Sequence, residues 1–128
     1  MGNRQVQGSV RTYRTILVDD DALFRDWLRP LLEESAHFQL SGEAGNGEEC
    51  IALIDKEKPD LVILDVYMPD WDGLELAEHI RKHFPAIKTI VTSSHSDCVY
   101  SRLAERDGAV AFIPKARLSI TALLQALQ

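Results

Sequence analysis

Segments rich in apolar residues alternate with longer amphipathic segments from residue 15 onward. Five short segments bounded by turn residues are typical of strands in a parallel sheet, namely 15–18, 38–44, 61–64, 88–92 and 110–113. Apolar residues at intervals of three or four predict five helices, over 23–32, 48–57, 74–83, 97–106 and 120–128. This alternation predicts an α/β domain whose parallel sheet is covered by helices on both faces and joined by right-handed crossovers.

Polar residues mark the ends of several predicted elements. Asp21, Asn46 and Ser119 precede the first, second and fifth helices, and we expect each to cap a helix N-terminus. Residues 1–13 show no hydrophobic period and are predicted to be a disordered leader, so the folded domain is expected to span 14–128. The last helix reaches residue 128 without a Gly or Asn cap, and we expect a longer parent chain with a C-terminal output domain.

The composition and net charge of the chain argue against several classes of function. A chain of 128 residues with 45% hydrophobic content is expected to form one globular domain. Its net charge of −6 argues against direct nucleic-acid binding, which requires a basic face. No apolar run approaches the ~20 residues of a membrane span. No signal peptide is evident, and Cys50 and Cys98 form no Cys-x-x-Cys pattern. A cytoplasmic protein with reduced thiols and no membrane association is therefore expected.

Acidic residues follow two of the predicted strands. Asp19 and Asp20 follow the first strand, and Asp65 ends the third. The carboxyl ends of parallel strands share one sheet edge, so these acids should meet Ser93 and Lys115, which follow the fourth and fifth strands. Carboxylates that lie close together repel one another unless a cation neutralises them. A set of oxygen ligands favours Mg²⁺ over zinc. Such a site suits phosphoryl transfer, with Asp65 as the nucleophile that forms an acyl phosphate.

Four motifs, in this order, resemble the receiver domain of two-component response regulators. They are Val18-Asp19-Asp20-Asp21, Leu64-Asp65-Val66-Tyr67-Met68-Pro69 with Asp72-Gly73, Thr92-Ser93-Ser94-His95, and Phe112-Ile113-Pro114-Lys115. The resemblance covers about residues 14–128. It implies a flavodoxin-like, doubly wound (βα)5 three-layer sandwich with a five-stranded parallel sheet in the order 2-1-3-4-5. The segments 93–97 and 108–115 are most similar to receivers attached to a helix-turn-helix output domain of the LuxR/NarL type.

The resemblance implies a phosphoacceptor and a metal site. Asp65 would accept the phosphoryl group. Asp20 and Asp65 would bind Mg²⁺ directly, with Mn²⁺ as a substitute, and the backbone carbonyl of Tyr67 would be a third protein ligand. Asp19 would contribute through a water molecule.

The resemblance also implies residues that respond to phosphorylation. Ser93 would hydrogen-bond the phosphoryl group, Lys115 would form an ion pair with it, and Phe112 would swing inward on activation. Tyr67 and His95 occupy the two positions that tune dephosphorylation in the family. We hypothesise that the bulky Tyr67 blocks attacking water and lengthens the phosphorylated lifetime.

Two positions depart from the pattern of the family. Ala116 follows Lys115 where many members have Pro, so a cis proline bond cannot be assumed there. Ser94 stands where Ala is usual, and it adds a second hydroxyl beside the site.

As a function, these residues predict a switch that accepts phosphate from a sensor histidine kinase and is not otherwise an enzyme. The output surface would comprise the fourth helix, fifth strand and fifth helix, with a phosphorylation-dependent homodimer as a further expectation. DNA would be contacted only through an output domain. Two alternatives stay open: an interaction module that works without phosphorylation, and a phosphatase or phosphotransferase with an Asp nucleophile. Phosphatases of that kind usually carry a second acid two residues after the nucleophile, where this chain has Tyr67.

Three other features have structural interpretations. Cys50 is expected to be a small buried residue on its helix. Trp71 is expected to fold over the loop that follows the third strand. His79 and His83 have the i, i+4 spacing of a zinc pair, but we interpret them as part of a solvated face because Arg81 and Lys82 lie between them.

Overall fold

Five parallel strands form a single sheet in the computed structural model, which describes residues 11–94 and 98–128. In chain order the elements are β1 (Tyr13–Val18), α1 (Ala22–Glu33), β2 (Phe38–Ala44), α2 (Gly47–Glu57), β3 (Leu61–Asp65), α3 (Gly73–His83), β4 (Lys88–Ser93), α4 (Cys98–Arg106), β5 (Ala111–Pro114) and α5 (Ile120–Ala126). A short 3₁₀ turn, Lys115–Arg117, follows β5. The strand order is β2-β1-β3-β4-β5, and every pair is parallel. The predicted flavodoxin-like architecture is confirmed.

The central strand β3 is buried along its whole length. Successive side chains of a strand point to opposite faces, so Val62 and Leu64 pack into one core while Leu61 and Ile63 pack into the other. Helices α2, α3 and α4 cover the first core, and α1 and α5 cover the second. Burial on both faces explains why β3 reads as an unbroken apolar run in the sequence.

The three predicted N-caps are confirmed. Asp21 Oδ1 accepts a hydrogen bond from the backbone N–H of Leu23 at 3.0 Å. The side chain of Asn46 accepts one from Glu49 N at 2.9 Å, and Ser119 Oγ accepts one from Ala122 N at 3.0 Å. Each bond satisfies an N–H group that the first helical turn leaves without a partner.

The start of β1 and the end of α5 differ from those predicted. Tyr13, assigned above to the leader, lies in β1 because its buried ring packs against Phe38, with 6.2 Å between ring centroids. Residues 1–10 of the predicted leader lie outside the described residues. Helix α5 ends at Ala126, and the N–H of Leu127 closes its last turn by donating to Leu123 and Leu124.

Cys50, Trp71 and the two histidines of α3 all make contacts within the domain. Cys50 is fully buried, and this burial raises the pKa of its thiol to about 12. Trp71 folds back onto α2, where its indole N–H donates to Glu48 Oε1 at 3.1 Å. The rings of His79 and His83 stack with centroids 4.2 Å apart. In the described part of the chain, no helix is both long enough and apolar enough to cross a bilayer.

Candidate functional site

An open cleft of about 440 Å³ lies at the carboxyl edge of the sheet. Its walls come from the segments that follow β1, β3, β4 and β5, as the parallel topology requires. The lining residues are Asp19, Asp20, Asp21, Asp65, Tyr67, Met68, Pro69, Ser94 and Lys115. Most of the residues singled out in the sequence therefore face one space.

Three carboxylates lie together in the cleft. One oxygen from each of Asp19, Asp20 and Asp65 falls within 4.8 Å of the other two. Asp19 is fully buried, Asp65 is 5% exposed, and Asp20 is exposed to solvent. The strands β1 and β3 are neighbours with Val18 opposite Leu64, and this register places the first acidic pair beside Asp65.

The cation of the cleft is Lys115, which begins the 3₁₀ turn directly after β5. Its Nζ lies 2.7 Å from Asp19 Oδ2 and 3.8 Å from Asp65 Oδ1. The same atom lies 4.3 Å from the centroid of the Phe24 ring on α1. The ammonium group is therefore surrounded by two acids and an aromatic face.

The surroundings of Asp65 make its carboxylate form less favourable than that of an exposed aspartate. Burial, followed by the nearby charge of Asp19, raises the pKa of Asp65 from 3.8 to about 6. The charge of Lys115 and a backbone hydrogen bond from Tyr67 act in the opposite direction without cancelling the rise in pKa. A further positive charge near Asp65 would lower its pKa again.

The residues present fit a hard divalent cation. Apart from ionic contact with Lys115, Asp19 Oδ2 and Asp65 Oδ1 have no polar partner among the described residues, although both atoms are buried. Buried carboxylate oxygens without hydrogen bonds are costly unless a cation contacts them. Among the residues that the structure describes, the ligand atoms of this cluster are all oxygens, which suits Mg²⁺ or Mn²⁺ rather than zinc.

Two of the residues expected to respond to phosphorylation, Ser93 and Phe112, do not line the cleft. Ser93 ends β4 and is fully buried, whereas Ser94 is exposed and lines the cleft, as does the exposed side chain of Tyr67. Phe112 on β5 is half-buried against the core beneath α2 and α3. His95 lies outside the described residues.

Asp72 and Gly73 each have a structural role at the start of α3. The N–H of Gly73 donates to the carbonyl of Val66 at 2.7 Å, which brings the start of α3 onto the end of β3. A Cβ atom at Gly73 would lie 2.1 Å from the carbonyl oxygen of Asp65. Only glycine permits this close approach, while Asp72 caps α3 through a 2.7 Å bond from Leu74 N.

Three contacts at the site were not predicted from the sequence. Arg25 on α1 donates to the backbone carbonyl of Asp19, and its Nε lies 3.2 Å from Glu43 Oε1 on β2. Asp70 accepts hydrogen bonds from Gly47 N at 2.8 Å and Glu48 N at 3.0 Å. The third contact is the Phe24 ring beside Lys115. The contact between Arg25 and Asp19 spans six residues, whereas the others join segments that are distant in sequence, so local patterns carry no signal for those.

The sequence of the chain is similar to a known protein family and to several known proteins. The sequence profile described as the response regulator receiver domain matches residues 15–128. The chain is 36% identical over 105 residues to "Probable C4-dicarboxylate response regulator DctR" of Bacillus subtilis (strain 168), covering 82% of this chain and 46% of that protein. It is 35% identical over 102 residues to "Protein-glutamate methylesterase/protein-glutamine glutaminase 3" of Hahella chejuensis, covering 78% of this chain and 29% of that protein. The chain therefore spans less than half the length of either relative.

The fold of the chain is also similar to that of a solved structure. The signal receiver domain of NarL from Mycobacterium tuberculosis superposes with a TM-score of 0.80 and 27% sequence identity. The match covers 91% of this chain and 98% of that one.

Proposed function

The chain belongs to the response regulator receiver domain family of two-component systems, and from that membership we propose that Asp65 accepts a phosphoryl group from a sensor histidine kinase. One observation carries the proposal. The Asp65 carboxylate lies at the carboxyl edge of the sheet beside Asp19 and Asp20, which could hold a metal ion, and beside the Lys115 ammonium, which could neutralise phosphoryl oxygens.

In the proposed reaction an oxygen of Asp65 forms a bond to phosphorus. The bond from phosphorus to the donor breaks, and the donor leaves with the bonding electron pair. Lys115 neutralises part of the negative charge on the phosphoryl oxygens. The burial of Asp65 limits access of bulk water to the acyl phosphate that results.

A divalent cation has a defined place in this proposal. Asp20 and Asp65, with the backbone carbonyl of Tyr67, would hold Mg²⁺ or Mn²⁺ directly, and Asp19 would contribute through water. When bound, the ion would neutralise the carboxylates and the oxygens of the incoming phosphoryl group. Asp65 Oδ1 supports this assignment, because it is buried without a hydrogen-bond partner among the described residues and lies 3.8 Å from Lys115 Nζ.

Phosphorylation would act on the surface formed by α4, β5 and α5. A phosphoryl group adds a charge near −2 and new hydrogen-bond acceptors, which can bias a two-state loop. Ser93 and Lys115 would bind the group, and Phe112 would move inward. The output would be transcription through a separate DNA-binding domain of the helix-turn-helix type, with phosphorylation-dependent homodimerisation. The net charge of −6 agrees with DNA contact through another domain.

Intact mass spectrometry tests the proposal. The chain is incubated with acetyl phosphate, with and without Mg²⁺, alongside Asp65→Asn and the control Asp55→Asn, whose side chain is exposed on α2. We expect one phosphoryl adduct that requires Mg²⁺, is retained in Asp55→Asn and is lost in Asp65→Asn. No adduct on the parent chain with any small donor or with a histidine kinase would favour the module that works without phosphorylation. Turnover of a phosphorylated small substrate would favour the phosphatase.

A further inference from the structure

The aromatic face of Phe24 contacts the ammonium group of Lys115. Nζ lies 4.3 Å from the ring centroid, within the range in which an aromatic ring attracts a cation. The Lys115 side chain is 15% exposed and the Asp19 side chain 1%, so the pair is largely withdrawn from water. An aromatic contact stabilises a cation more strongly when the cation has lost part of its hydration.

The Phe24 ring is itself held in place. It lies in the first turn of α1, where the backbone N–H of Phe24 donates to the capping carboxylate of Asp21 at 3.4 Å. The ring is half-buried, packs against the core beneath α1 and α5, and contacts Trp27 with ring centroids 5.9 Å apart. Phe24 therefore offers Lys115 a fixed surface rather than a mobile one.

We propose that Phe24 is a positioning residue for phosphoryl transfer, which keeps the Lys115 ammonium between Asp19 and Asp65. The inference deepens the proposed function and rests on it. The two carboxylates alone would draw Nζ toward Asp19, its nearer partner at 2.7 Å. A ring face attracts a cation over a broad area without a fixed hydrogen-bond direction, so Lys115 keeps this contact while it moves toward a phosphoryl group on Asp65.

Nuclear magnetic resonance tests the geometry without phosphorylation. Protons above an aromatic face are shifted upfield by the ring current, so the ε-methylene protons of Lys115 should resonate upfield of those of exposed lysines. We expect this shift to be kept in Phe24→Tyr and lost in Phe24→Leu. Lys115→Arg assigns the signal. If the parent chain shows no such shift, Phe24 does not position Lys115.

The initial rate of phosphorylation by acetyl phosphate tests the consequence. Phe24→Leu keeps an apolar side chain but removes the π-face, and we expect the rate to fall about threefold to tenfold. Phe24→Tyr keeps the face and should react at close to the parent rate. In a Lys115→Ala background the Phe24→Leu change should have no further effect, because no ammonium is left to position.

The outcomes separate this inference from the proposed function. A folded Phe24→Leu chain that reacts at the parent rate overturns the positioning role, as does a Phe24→Tyr chain that is impaired as much as Phe24→Leu. A parent chain that forms no adduct with any small donor or with a histidine kinase refutes the proposed function instead, and the resonance of Lys115 then still decides whether Phe24 holds the ammonium. Thermal unfolding of each variant confirms that it is folded.

Discussion

Lys115 Nζ lies 1.1 Å closer to Asp19 Oδ2 than to Asp65 Oδ1, at 2.7 Å against 3.8 Å. The lysine thus compensates Asp19 more fully than it compensates the proposed phosphoacceptor. Asp65 is left buried beside a second carboxylate, and its pKa is raised to about 6 for that reason. The resting cleft therefore disfavours negative charge at Asp65 until further positive charge enters.

The first prediction concerns Asp19→Asn. The charge of Asp19 is the second cause, after burial, of the raised pKa of Asp65. Its removal should lower the pKa of Asp65 and leave Lys115 free to pair with Asp65. Titration of the Asp65 side-chain carboxyl carbon by NMR, in the presence of EDTA, measures this. Asp55→Asn serves as the control and should leave the titration unchanged. An unchanged or higher pKa in Asp19→Asn would contradict the prediction.

The second prediction concerns Asp65→Asn and pH. The folded-state pKa of about 6 exceeds the ordinary value of 3.8, so protonated Asp65 stabilises the fold at low pH. That contribution is lost as the pH rises through about 6. Without metal, Asp65→Asn should therefore stabilise the protein by up to about 3 kcal/mol at pH 8 and by about 1 kcal/mol at pH 4.5.

Urea unfolding at both pH values, with EDTA present, measures this difference. The control Asp55→Asn should show the same unfolding free energy as the parent chain within about 0.5 kcal/mol at each pH. A stabilisation by Asp65→Asn that does not depend on pH would show that the charge of Asp65 is not its cause.

Local signals were sufficient to predict most of the fold. The apolar run that ends at Asp65 reflects burial of β3 on both faces, and the caps Asp21, Asn46 and Ser119 act within a few residues of themselves. The start of β1 could not be predicted in this way. Tyr13 belongs to the strand because it pairs with Phe38, and that contact forms only when β2 lies beside β1.

The candidate site likewise combines contacts that the sequence predicts with contacts that it does not. Asp19, Asp65 and Lys115 could be expected to meet because a parallel sheet brings the carboxyl ends of its strands to one edge. The side chain of Lys115 also contacts α1, where the Phe24 ring lies 4.3 Å from its ammonium group, and no local pattern predicts that contact. Arg25 likewise binds the carbonyl of Asp19 from α1. Such contacts depend on tertiary packing, which hydrophobic periodicity does not encode.

The third prediction concerns Gly47→Ala. A Cβ atom at Gly47 would lie 2.3 Å from Cδ1 of Trp71, so the indole must move and its bond to Glu48 would be lost. We expect a loss of about 1 to 3 kcal/mol in unfolding free energy, the usual cost of overpacking. Urea unfolding followed by circular dichroism measures the loss of stability.

Gly45→Ala is the matched control for this change. A Cβ atom at Gly45 would make only ordinary contacts, at 3.6 Å to Arg25 and 3.7 Å to Glu49. Gly45→Ala should therefore stay within about 0.5 kcal/mol of the parent chain. Equal losses in the two variants would mean that the Trp71 contact is not what constrains Gly47.

The fourth prediction concerns Tyr67→Ala and the lifetime of the phosphorylated state. Tyr67 lines the cleft beside Asp65 and is 51% exposed, on the open side from which water would approach. Hydrolysis of an acyl phosphate requires a water molecule in line with the bond that breaks, so a bulky side chain at the mouth should slow it. Tyr67→Ala should therefore lose phosphate several-fold faster, as followed by intact mass after removal of the donor.

Tyr67→Phe separates bulk from chemistry in the same measurement. It keeps the ring and removes only the hydroxyl group, so a rate close to the parent rate is expected if the ring obstructs water. Acceleration in both variants would assign the effect to the hydroxyl group instead of the ring. An unchanged or slower loss in Tyr67→Ala would show that Tyr67 does not shield Asp65, and the exposed Ser94 hydroxyl on the same cleft would become the next group to substitute.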